Sequence, residues 1–225
     1  YDRKFSKKEI DEVEKIKKES IKEVPNDIFN LTGDKQYILN RPVFKNFKKF
    51  IEKNLQNYLN QIVCAKDVEC YITQSWFTVT RQGMSHRNHC HANSYLSGTF
   101  YMYDVKPEDK VIFHKKHSDI NDILLPERSN FNLWNSETWP INAAPGKLLL
   151  FPSDIRHHVD PMQGTHIRTS LAFNTFLKGR LGHPTALSQL YLKSFQLYFY
   201  RFYFHQIQKK YFYIYFHQVL QNVLF

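Results

Sequence analysis

Glu69-Cys-Tyr-Ile-Thr-Gln-Ser-Trp-Phe-Thr-Val-Thr80 is the stretch whose reading decides the fold class. From Val68 onward the pattern changes to a period of two, rich in aromatic and β-branched residues, which is how strands read. Further strands are expected at 97–105, 110–114, 147–152, 156–160 and 167–177. Many short strands with no helices between them suggest a sandwich or jelly roll, not a βαβ fold.

The residues before this stretch read differently. Ser6-Lys-Lys-Glu9 is a capping-box pattern, and Ile10, Val13, Ile16 and Ile21 follow near helical spacing, predicting a helix over 6–24. A second helix is expected from Pro42 to about Val63, with Phe44, Phe47, Phe50, Ile51, Leu55, Tyr58, Leu59 and Ile62 forming its apolar stripe. Both helices are expected to brace the β core. The resulting organisation is a helical segment over 1–64, a β core over 65–185 and an aromatic, basic extension over 186–225.

Two segments stand apart. Residues 115–146 contain Pro126, Trp134, Trp139, Pro140 and the Pro145-Gly146 turn, and a loop of that length is a candidate lid or substrate loop. Residues 191–225 hold seven Tyr and seven Phe, interrupted by Arg201, His205, Lys209, Lys210 and His217. Those charges oppose a spanning helix. The segment reads as a biased terminal extension that contributes little to the chemistry, with a partner-binding or membrane-surface role as the alternative.

A length of 225 residues suits one domain with extensions. A first residue of Tyr1 rather than Met is what a fragment or trimmed chain shows. No uncharged apolar run of about 18 residues occurs, so neither a signal peptide nor a membrane span is expected. Cys64, Cys70 and Cys90 make an odd number without CxxC spacing. They point to a reducing, cytoplasmic setting, and against a disulfide framework or a structural zinc site.

The formal charge of +10 is unevenly spread. Residues 178–225 carry six basic residues and no acidic one, which leaves 25 of the 31 basic groups against all 21 acidic ones in residues 1–177. Nucleic acid binding would need a basic face on the folded domain itself, so it is not expected.

The candidate site begins at His89-Cys90-His91. Residues two apart on a strand share a face, so both imidazoles project together. His157 follows Phe151-Pro152-Ser153 on a later expected strand and can complete a facial set of three ligands, leaving open positions on a metal. Arg168-Thr169-Ser170 lies about ten residues further on. A guanidinium matches a carboxylate bidentately, and Ser170 shares its face. Tyr101 can add a phenol donor. His158 should face away from His157, whereas Val159 should share its side. His86 reads as loop, His166 has no ligand spacing, and Cys90 reads as a small buried apolar residue pointing away from its histidine neighbours.

Taken together, Ser75-Trp76, His89-x-His91-x-x-Ser94-x-x-Ser97-Gly98-x-x-Tyr101, Phe151-Pro152-Ser153-x-x-x-His157-x-Val159 and Arg168-x-Ser170-x-x-Phe173-Asn174 resemble the putative 2-oxoglutarate–Fe(II) oxygenase family of bacteria and phages. That family is similar to the prolyl 4-hydroxylase-like branch of its superfamily. The resemblance spans roughly residues 35–185. It implies a mainly β double-stranded β-helix (jelly roll) braced by N-terminal helices, an Fe(II) ion and 2-oxoglutarate as co-substrate, with ascorbate as a possible support. His89 and His157 would be iron ligands. His91 stands where most of the superfamily has Asp or Glu, so a third imidazole would leave the iron site one unit more positive. Two alternatives within the resemblance are that His91 only supports a ligand, or that His91-x-Asn93 replaces His89-x-His91. Arg168, with Ser170 and Tyr101, would hold the C5 carboxylate of 2-oxoglutarate.

The implied activity is a dioxygenase that couples oxidative decarboxylation of 2-oxoglutarate to hydroxylation. Its substrate is unidentified: a small molecule, a peptide or protein side chain, or a nucleotide. Two other readings remain. Gly83-(five residues)-His89-x-His91 and Gly146-(five residues)-Pro152 echo a cupin-type three-histidine dioxygenase that uses no 2-oxoglutarate, although no Glu follows His91 at the expected offset. A jelly-roll binding module with a vestigial or structural metal cluster is the non-enzymatic reading.

Overall fold

A computed structural model describes residues 1, 3–23, 33–115, 129–132 and 135–192, the side chains of 20–23, 33 and 34 excepted. Tyr1–Leu192 form one folding unit. The aromatic extension from residue 193 lies outside the described residues, as do residues 116–128, 133 and 134 of the candidate lid, including Pro126 and Trp134.

Helix α1 spans Lys7–Glu23. Its capping box forms as expected: Ser6 N donates to Glu9 Oε2 at 2.8 Å, and Glu9 N donates to Ser6 Oγ at 3.4 Å. The second helical stretch is composite. A 3-10 turn at Pro42–Phe44 leads into α2, Lys45–Tyr58, and a π-helical turn at Leu59–Val63 follows. Ile62 is exposed rather than part of the apolar stripe, because the wider turn rotates it out of the face that Leu55 and Leu59 bury.

Nine strands follow among the described residues: β1 (Val68–Thr80), β2 (His86–His89), β3 (Leu96–Tyr101), β4 (Lys110–His114), β5 (Thr138–Asn142), β6 (Leu148–Pro152), β7 (His157–Val159), β8 (Arg168–Leu181) and β9 (Leu190–Leu192). They make two antiparallel sheets. The larger has the order β1-β8-β3-β6, with β9 also paired to β8, and the smaller has the order β2-β7-β4-β5. This is the mainly β jelly roll. The strand expected at 97–105 ends at Tyr101, where the backbone turns and Met102 N donates to Thr169 O. β5 was expected as loop, and it forms by pairing along the whole of β4.

The main core lies between the larger sheet and the two helices. Phe47, Ile51 and Leu55 of α2 and Val13 and Ile16 of α1 are buried with Phe77, Phe100, Leu148, Leu171 and Phe173. Phe47 meets Phe100 edge-on with ring centroids 4.7 Å apart. Close approach explains Gly98, since a Cβ there would lie 2.2 Å from Phe173 Cζ. The strand alternation then assigns the other face of this sheet to the site. On β1, Ser75 turns to the helical side and accepts Leu39 N, whereas Trp76 and Thr78 line a cavity between the sheets. No described helix is long and apolar enough to cross a membrane.

Candidate active site

The cavity is open at its mouth and has a volume of about 110 Å³. The larger sheet supplies one wall. Register places Thr78 of β1 and Tyr101 of β3 on either side of Ser170, and Trp76 and Thr99 on either side of Ala172. All six face the cavity. Arg168 sits one step beyond Ser170 on the same face, is 5% exposed, and donates from Nη2 to Thr80 Oγ1 at 3.2 Å.

Asp109 completes this end. Its Oδ1 lies 3.6 Å from Arg168 Nη1, and its Oδ2 accepts from His166 Nε2 at 2.9 Å and from Lys106 N at 2.8 Å. The carboxylate offsets part of the guanidinium charge and fixes its side. Burial pushes the Tyr101 phenol up to about 12, against the opposing effect of Arg168, so it stays a hydroxyl donor.

The smaller sheet supplies the opposite end. His89 pairs with His157 across β2 and β7, and His91 lies just past the end of β2. The expected two-residue alternation within one strand therefore does not place His91. Its backbone N donates to Ser153 O at 2.9 Å, and this holds the segment against the end of β6. Ser153 is fixed in turn, since its Oγ bonds the Ser97 and Ser94 hydroxyls. Asn93 is exposed, with a positive φ of 52° in the following turn.

One potential ligand atom from each of His89, His91 and His157 lies within 4.8 Å of the other two. His157 Nδ1 is engaged by Ile155 O at 3.1 Å and His89 Nδ1 by Arg87 O at 2.7 Å, which directs the Nε2 atoms to the centre. Backbone acceptors on the outer nitrogen are how metal-binding imidazoles are usually oriented. His91 Nε2 is 3.4 Å from His157 Nε2. Two nitrogens each about 2.1 Å from one ion lie about 3.0–3.4 Å apart, so the His91–His157 separation suits a shared ion, with the ligand atom of His89 close by.

Burial lowers His91 and His157 to about 4, and the neighbouring imidazoles add to the effect; for His157 the bond to Ile155 acts the other way. Neutral imidazole is the form that ligates. Phe151 and Phe113 pack against the His157 ring at centroid distances of 4.9 and 5.7 Å and shield it from water.

The structure thus brings His89, His91, His157, Arg168, Ser170 and Tyr101 around one cavity. Val159 lines it too, whereas His158 turns outward and bonds His114, Nδ1 to Nε2, at 2.7 Å. Cys90, just past the end of β2, does not line the cavity and is exposed, not buried. Sequence reasoning passed over four contributors. Asp109 and Thr80 carry no motif. His166 lacks ligand spacing because it serves Asp109, not a metal. His86 was read as loop, yet it lies on β2 and lines the cavity.

Comparison with known proteins adds the following. Residues 74–174 match a family model described as "Putative 2OG-Fe(II) oxygenase". No curated protein matches the chain. Among solved structures, SnoK, a non-heme alpha ketoglutarate dependent carbocyclase from nogalamycin biosynthesis, is similar at a TM-score of 0.51 and 13% identity, over 85% of this chain and 87% of that one. A 2OG-Fe(II) oxygenase family oxidoreductase from Burkholderia pseudomallei matches at a TM-score of 0.45 and 12% identity, over 60% of this chain and 58% of that one. A Pseudomonas putida prolyl-4-hydroxylase matches at 0.39 and 17%, over 60% and 66%. The chain therefore spans less than two thirds of these last two relatives. The likeness to SnoK bears on fold alone.

Proposed function

We propose that the cavity couples oxidative decarboxylation of 2-oxoglutarate to hydroxylation of a second substrate, the Fe(II)- and 2-oxoglutarate-dependent chemistry of the family whose model residues 74–174 match. The observation that carries this reading is one cavity with a three-imidazole cluster at one end and a buried arginine at the other. A cupin-type dioxygenase without 2-oxoglutarate has no use for that arginine, and a vestigial binding module has no use for either end.

In this reading His89, His91 and His157 hold the iron through Nε2, and the catalytic core corresponds to residues 65–185. Iron, 2-oxoglutarate and dioxygen together supply the oxidising power, releasing succinate and CO2 and delivering one oxygen atom to a substrate C–H bond. Arg168 grips the C5 carboxylate with a charge-assisted pair, and the Ser170 and Tyr101 hydroxyls donate to the same group. Asp109 and Thr80 hold the guanidinium in place before the co-substrate arrives, which lowers the ordering cost of binding. Phe151, Phe113, Val111 and Val159 exclude water from the metal side. Three imidazoles leave the bound Fe(II) with its full charge, which favours an anionic co-substrate. The three unpaired cysteines suit a reducing, cytoplasmic setting.

The test is succinate release from 2-oxoglutarate with Fe(II), ascorbate and oxygen, measured without added substrate, since slow uncoupled turnover suffices. Metal-dependent succinate supports the proposal. Absence of both succinate and iron binding overturns it.

A further inference from the structure

His86 and His89 are separated by three residues on β2, and a regular strand would turn them to opposite faces. Both nevertheless line the cavity. The cause is in the β2–β7 pairing: His86 is opposite Val159 and His89 is opposite His157, with a register irregularity between the two pairs. Irregularities of this kind re-aim side chains next to active sites. Here the irregularity adds a fourth imidazole to the cavity, its ring centroid 6.4 Å from that of His89 and the planes tilted by 32°.

His86 is not part of the three-nitrogen cluster. β2 opens with His86, six residues after Thr80, which pairs with Arg168 and accepts from its guanidinium, and it closes with His89 of the cluster. His86 therefore lies between the arginine end and the histidine end of the cavity that these residues line. A neutral imidazole always presents one N–H donor.

We infer that His86 is a co-substrate-binding residue, donating a hydrogen bond from a ring N–H to 2-oxoglutarate between the three-histidine cluster and Arg168. This rests on the reading of the cavity as a 2-oxoglutarate site. His86 then sets affinity for the co-substrate without holding the metal.

The experiment is calorimetric titration of 2-oxoglutarate into Ni(II)-loaded wild type, His86→Ala and His86→Gln, with Ni(II) affinity measured separately for each. The inference predicts that His86→Ala weakens 2-oxoglutarate binding about tenfold or more, as loss of a hydrogen bond to a charged partner does. Ni(II) affinity should be retained, and His86→Gln, which keeps a neutral donor, should restore most of the binding. Unchanged 2-oxoglutarate affinity in His86→Ala overturns the inference. So does a parallel loss of Ni(II) affinity, which would make His86 a support of the metal site, or equal weakening by Ala and Gln. Failure of wild type itself to bind 2-oxoglutarate overturns the underlying reading of the cavity and the inference with it.

Discussion

The larger sheet is built on strands of 13 and 14 residues and carries both helices on its outer face. The smaller sheet is made of strands of three to five residues. The main apolar core draws on β1, β3, β6 and β8 and on neither β2, β4, β5 nor β7. The division is also chemical. Arg168, Ser170, Tyr101 and Trp76 project from the well-packed sheet, whereas His86, His89 and His157 project from the lightly packed one. In the proposed reading the first sheet carries the carboxylate grip on the well-packed core, and the second carries the metal ligands on short elements outside it.

The largest expected effect tests that separation of roles. His157→Ala removes one nitrogen from the cluster, and its loss of metal affinity should exceed the roughly 10–100-fold typical of losing only a ligand's hydrogen-bonded support. Activity should vanish while the metal-free protein melts within a few degrees of wild type, since the core lies elsewhere. Metal titration and thermal melts check both parts.

Next comes the platform. Phe100 is fully buried against Phe5, Phe47 and Phe50. Phe100→Ala should cost about 3–5 kcal/mol in denaturant unfolding. Ile141→Ala, at an exposed position on β5 of the smaller sheet, should stay within about 0.5 kcal/mol. Equal costs at the two positions would erase the contrast between the sheets.

Arg168→Lys sharpens the comparison from the other side. It keeps a charge but loses the planar fork. It should weaken 2-oxoglutarate binding about tenfold, leave metal affinity near wild type and raise KM for 2-oxoglutarate more than it lowers kcat.

A further prediction concerns pH. The folded metal-free protein holds His86, His91 and His157 neutral down to about 4, whereas the unfolded chain protonates its histidines near 6.5. Between those values the unfolded state binds more protons, so stability should be complete above about pH 6.5 and decline as pH falls toward 4. His91→Asn should flatten that slope, as followed by urea unfolding across the pH series.

Much of this was legible in the chain. The period-two run at 69–80, the capping box at Ser6 and the stripe of α2 encode local geometry directly, and each element forms where expected. His89, His157, Arg168, Ser170 and Tyr101 could be brought together because they sit in strands whose faces can be counted, whereas His91 joins them from the turn after β2. What stayed hidden depends on pairing rather than on pattern. β5 reads as loop because Thr138-Trp-Pro-Ile-Asn142 contains a proline, which an edge strand tolerates. His86 reads as loop because the irregularity that turns it inward belongs to the β2–β7 ladder, not to residues 86–89 alone. Asp109 was invisible because a buried partner for Arg168 can come from any part of the chain.

The most direct test of the account is anaerobic addition of 2-oxoglutarate to the Fe(II)-loaded protein, followed by calorimetry and by the charge-transfer absorption of an iron–keto-acid chelate. The account predicts saturable binding of one equivalent, an absorption band that requires both iron and 2-oxoglutarate, and weaker binding in Arg168→Lys. No heat and no band, or binding indifferent both to iron and to Arg168, would contradict it.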